Sequence, residues 1–122
     1  MRTLGPALAT SMLLCGLGLA ASQKNQTYIG EVMDSACAKM GSHDAMMKSH
    51  PNMKTAKDCT LGCVKAGSKY VLYNSSNKTL YELDDQKKAE EFPGQMVTVA
   101  GNLDRTTGTI HVANIKSASS PY

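Results

Sequence analysis

Cys37, Cys59 and Cys63 are the residues of this sequence most able to do chemistry. Cys59 and Cys63 stand four apart in a segment, 55–66, that reads as helix, so both thiols face one side. That spacing suits two ligands of one metal ion. It is poor for a mutual disulfide, because helical neighbours four apart have β-carbons about 5–6 Å from each other and a disulfide needs about 3.5–4.5 Å. Cys37 follows the first strand and can reach either of the others. A histidine from the intervening segment, His43 or His50, would complete a tetrahedral zinc site of three thiolates and one imidazole. The competing arrangement is structural. One disulfide from Cys37 to Cys59 or Cys63 would leave a single thiol and close a loop of about 20 residues, worth about 3 kcal/mol.

A second pattern lies between those cysteines. Met40, His43 and Met46, then Met47, His50 and Met53, recur at three-residue steps. Thioether and imidazole together select Cu(I), and neither has to shed a proton from a high-pKa thiol. Met46 and Met47 could instead simply fill gaps beneath the loop, as methionine does. A cysteine nucleophile with His43, His50 or His111 as base fits less well. Asp34 and Asp58 flank the cysteines, and negative neighbours raise a thiol pKa where catalysis needs it lowered. Asp84-Asp85 and Glu90-Glu91 read as caps and solvated charge. The chain has no phosphate loop, no Ser-His-Asp pattern and no zinc-protease helix, so the expectation is a binding module and not an enzyme.

These side chains need a scaffold, and the chain is long enough for one small domain. It has 122 residues, with 13 Lys+Arg against 10 Asp+Glu. That mild charge argues against a dedicated nucleic-acid binder. Residues 1–22 run positive, apolar, small and then polar, the order of a secretory signal peptide. The apolar run is shorter than the about 20 residues of a membrane span, so cleavage would leave no stable membrane anchor. Cys15 would go with it, leaving an odd number of thiols in an exported, periplasmic or extracellular protein. The domain then occupies 23–116, with an insertion at 38–67 and a disordered tail at 117–122.

Within that domain, 28–34 alternates as a strand, with Tyr28, Gly30, Val32 and Asp34 on one face. The polar stretch 39–57 reads as a long loop carrying at most a short helix. Strands follow at 69–73 and 79–83, joined by the turn 74–78. A short helix over 86–92 turns Ala89 and Phe92 inward. Strands at 95–103 and 109–115 complete the set, the last with Ile110, Val112 and Asn114 on one face. Five short strands with one helix between the third and fourth predict a mainly β, OB-like barrel, with a Cys/His/Met-containing loop-helix insertion after strand 1.

Several blocks resemble a group of small exported bacterial proteins of unknown function with an OB-like core. They are Gly30-Glu31-Val32-Met33-Asp34-Ser35-Ala36-Cys37, the Asp58-Cys59-Thr60-Leu61-Gly62-Cys63-Val64-Lys65-Ala66-Gly67 run, and Phe92-Pro93-Gly94-Gln95-Met96-Val97. Those relatives place glycine after the first cysteine, where this chain has Ala38. The resemblance implies fold and export and no particular activity. OB-folds often bind ligands across their second and third strands, which nominates Tyr70, Tyr73 and Tyr81 as a ligand face. Tyr70 and Tyr73 alternate to opposite sides, so at most one of them can join it. The functional expectation is an exported module binding copper or zinc through Cys37, Cys59, Cys63, His43, His50, Met46 and Met47. The alternative is an interaction domain for a protein partner, with a disulfide-pinned insertion and no metal.

Overall fold

The computed structural model describes residues 24–118 together with Gly5. Apart from Gly5, the expected signal peptide lies outside the described residues, as do 119–122. The elements are β1 (Gln26–Asp34), α1 (Ser35–Met40), α2 (Asp44–Ser49), α3 (Ala56–Lys65), β2 (Tyr70–Asn74), β3 (Thr79–Leu83), α4 (Gln86–Ala89), β4 (Met96–Asp104) and β5 (Thr109–Ser117). The five strands close on themselves in the order β1-β2-β3-β5-β4. The expected OB-like barrel is therefore the fold, with α4 between the third and fourth strands.

Four of the five strand pairs are antiparallel. The parallel pair, β3 with β5, is short, matching only Glu82 with Thr109 and Leu83 with Ile110. Asp84 clasps this seam. Its Oδ1 accepts the Val112 N–H at 2.8 Å and its Oδ2 lies 3.0 Å from His111 Nδ1. Two residues further on, the Gln86 amide pairs with β2 as a strand would. Its Oε1 accepts from Tyr70 N–H at 2.8 Å and its Nε2 donates to the Tyr70 carbonyl at 2.9 Å.

Two apolar cores result. Val32, Tyr70, Leu72, Val97, Val99, Ile110 and Ile115 fill the barrel, with Phe92 packed against them beside buried Ala89. Met33, Val71 and Tyr73 point to the other side of β1 and β2 and form a second core with Ala38 and the three cysteines. The insertion thus begins at Ser35, earlier than expected, and holds three helices where one and a loop were predicted. It covers the outer face of two barrel strands, so β2 is buried on both sides from Tyr70 to Tyr73.

The three tyrosines nominated as a ligand face occupy different surroundings. Tyr70 is 6% exposed inside the barrel and Tyr73 8% exposed under the insertion, while Tyr81 meets Tyr28 in a tilted pair with ring centroids 5.3 Å apart. The last strand also departs from simple alternation. Ala100 pairs with Asn114 but Gly101 pairs with Val112, which leaves Ala113 as a bulge. The extra residue flips the face, so that Ile115 turns inward and Asn114 is exposed. Nor does the tail begin at 117, because Ser117 pairs with Val97 and the Ala118 N–H donates to Met96 at 3.0 Å.

The insertion docks through Gly94. A β-carbon there would lie 2.5 Å from Lys57 N and 2.7 Å from Ala56 C, at the start of α3. Gly94 has φ of 70° and Gly108 has φ of 71°, yet a β-carbon at Gly108 meets nothing. Gly108→Ala should therefore cost only the left-handed backbone penalty of about 1–2 kcal/mol. Gly94→Ala should cost more than about twice that by also displacing α3. Urea midpoints of the two variants measure the difference, and equal losses would contradict the close packing.

Candidate metal centre

The site is assembled where β1 gives way to α1. Asp34 ends the strand and caps the helix, its Oδ2 accepting the Cys37 N–H at 2.8 Å. This bond fixes Cys37 in the first turn of α1, the ordinary geometry of an aspartate N-cap. From the other side comes α3. Thr55 caps it, with Oγ1 accepting the Asp58 N–H at 3.1 Å, and Asp58 Oδ2 returns to accept the Lys54 N–H at 3.2 Å. The helix buries Cys59, Thr60 and Cys63. The four-residue spacing thus places both thiols of α3 on the side facing β1, as the sequence implied.

Ligand atoms of Asp34, Cys37, Cys59 and Cys63 all lie within 4.8 Å of one another, and all four residues are buried. Cys37 Sγ and Cys59 Sγ are 3.5 Å apart. A tetrahedral zinc with sulfur at about 2.3 Å sets its donors about 3.8 Å apart, so this cluster has the dimensions of one metal site. Among the described residues no cysteine pair is at disulfide distance, since a bond requires about 2.05 Å.

Burial sets the electrostatics. It pushes the Cys37 thiol far up, helped by the hydrogen bond to Cys59 and the Asp34 charge. Burial, then the Asp34 charge, pushes Cys63 up to about 11. Glu31 is also raised by burial, with His43 opposing. The metal-free site therefore favours the neutral thiols of Cys37 and Cys63. Asp34 is 0% exposed, and its Oδ1 has no hydrogen-bond partner. A bound cation inverts this logic, because coordination deprotonates a thiol and compensates buried negative charge.

The expected imidazoles divide. His43 is buried beside the cluster, with Nε2 3.2 Å from Glu31 Oε2 and Nδ1 4.0 Å from Asp34 Oδ1. Its Nδ1, like Asp34 Oδ1, lacks a partner. His50 is exposed at the end of α2, where its Nδ1 donates to the Met46 carbonyl at 3.1 Å, and it has no place among the clustered ligands. Met46 and Met47 pack, half-buried, against the core that contains the thiols. Asp34 is the member that the sequence reading missed. Its signal was the Asp-x-x-Cys spacing of an N-cap, hidden because 28–34 alternates cleanly as strand.

Fold and cluster together define a small OB-like barrel with a buried acid-thiol centre under an inserted helical cap. A family described as "Protein of unknown function (DUF5818)" matches residues 62–118, the part from Gly62 through the last four strands. No curated protein and no solved structure matches the chain.

The raised thiols give a signed pH dependence. A thiol that ionises less readily folded than unfolded contributes stability below its unfolded pKa and loses it as pH climbs through the folded value. The metal-free, reduced protein should lose stability as pH rises from about 9 toward about 11, the Cys63 range. Denaturant melts across that window check this. Cys63→Ala should flatten the slope, and a profile unchanged by that substitution would refute the assignment.

Proposed function

We propose that this protein is an exported binding module that holds one soft metal ion, copper or zinc, on Asp34, Cys37, Cys59 and Cys63. The observation that carries the reading is the convergence of four buried donor atoms, three sulfurs and an Asp34 carboxylate oxygen, within 4.8 Å of one another. A buried polar atom without a hydrogen bond, as Asp34 Oδ1 is, is unfavourable unless something compensates it. A cation among three thiolates supplies that compensation. His43 stands next to Asp34 as a neighbour that can orient it.

Export rests on the order of residues 1–22, and binding without catalysis rests on the thiols. A nucleophilic cysteine needs a lowered pKa and access, whereas Cys37 and Cys63 are raised and buried. A second reading is favoured by one distance. Cys37 and Cys59 sulfurs at 3.5 Å need only a small movement to bond in an oxidising compartment. The protein would then be an interaction domain with a pinned insertion.

Metal titration of the reduced chain from residue 23 onward, which carries Cys37, Cys59 and Cys63 without Cys15, under anaerobic conditions separates the two. The metal reading expects one Co(II), Zn(II) or Cu(I) per chain, with sulfur-to-cobalt charge-transfer bands for the cobalt form. Asp34→Asn keeps the cap acceptor but removes the charge, and should weaken binding by about 10–100-fold. Cys59→Ser should abolish the charge-transfer signature. A chain that binds no stoichiometric metal with all three thiols free defeats the metal reading. A chain isolated 2 Da light with one titratable thiol, about the mass of a lost hydrogen pair, supports the disulfide instead.

A further inference from the structure

We propose that the cavity beside the buried thiols is a thioether site that captures Cu(I) from solution and passes it inward; this rests on the metal reading above and names copper as the cargo. The cavity has a volume of ≈ 400 Å³, and its lining includes Met33, Met47, Met96, His43, Glu31 and Tyr73. The three methionines come from β1, α2 and the start of β4, so the fold, and not a local run, places them on one cavity. They also form a gradient. Met96 is 53% exposed at the mouth, Met47 is half-buried, and Met33 is 1% exposed at the floor.

Gap-filling is the ordinary duty of methionine, but here the gap remains open and the thioethers line it. His43 forms the partition. It is 7% exposed, lines the cavity, and carries the unpartnered Nδ1 that lies 4.0 Å from the equally unpartnered Asp34 Oδ1. A buried imidazole nitrogen without a hydrogen bond is unfavourable, and at this spot a metal passing between cavity and cluster relieves it.

The chemistry explains why two stations are needed. Cys37 and Cys59 are fully buried, so an ion does not reach them directly from water. Thioethers bind Cu(I) as neutral ligands and release no proton. An ion held there exchanges thioether–copper bonds for thiolate–copper bonds. Each thiol that ligates gives its proton to solvent, and the copper stays in the +1 state throughout. Zinc, less soft, gains little from thioethers, so the outer station favours copper before the thiols are reached.

The test uses the same reduced chain under anaerobic conditions, with Cu(I) offered as its bicinchoninate complex. Met47→Leu with Met96→Leu should leave the equilibrium affinity of the thiol site within about twofold yet slow loading by about tenfold, the scale of losses beside a metal site. Cys37→Ser with Cys59→Ser should remove the tight site and leave a weaker Cu(I) equivalent, which disappears when the two leucines are added. Circular dichroism checks that each variant is folded. Loading at the wild-type rate in the leucine variant, or no weak equivalent in the serine variant, overturns the proposal. A weak methionine-dependent equivalent with no tight one overturns the thiol centre while leaving the thioether site standing.

Discussion

A carboxylate buried at the end of β1 is the constraint around which the second half of this structure is arranged. Asp34 is fully enclosed, and its two oxygens have different duties. One holds the first turn of α1 and so places Cys37. The other lies 4.0 Å from His43 Nδ1 and makes no hydrogen bond. Burying such a group is unfavourable by several kcal/mol unless it is paired. The same residue that organises the helix therefore leaves a buried polar atom without a hydrogen bond beside the centre where three thiols meet.

The scaffold builds this centre by separating two tasks in one sheet. Alternation sends Val32, Tyr70 and Leu72 into the barrel and Met33, Val71 and Tyr73 outward. The outward set would be an exposed apolar patch in a bare barrel, and the insertion exists energetically because it covers that patch. The thiols thus sit in the roof of the barrel, outside its interior. Changes at the centre and changes in the barrel core act on different packing networks, joined by the backbone of β1 and β2.

Much of the barrel could be read from the sequence, because alternating β-branched and aromatic residues broken by Asn, Gly and Pro carry a local signal. The α3 thiols were legible for a similar reason, since a four-residue helical spacing needs no tertiary information. Three things were not. The helices α1 and α2 are only six residues each, too short for a periodic pattern to emerge from a polar stretch. The bulge at Ala113 depends on pairing with Gly101, which no single strand reveals. Asp34 satisfies the strand pattern and the cap pattern at once, and the strand pattern masked its second role. His43 and His50 look equivalent in the sequence, and only the packing of α2 buries one and exposes the other.

The clasp made by Asp84 has a consequence for how the cylinder breathes. The β3–β5 seam contains two residue pairs, whereas its neighbours run much longer, so transient unzipping starts there. That line lies away from β1 and β2, on which the roof rests. A fluctuation that parts it spares the sulfurs. Asp84 is itself held below the ordinary carboxylate range: burial opposes this, but the Val112 N–H and His111 prevail. The fastening is fully engaged above the usual aspartate range and slips only as acidity drives protonation through the lowered folded value. Mild acid therefore leaves the zipper shut.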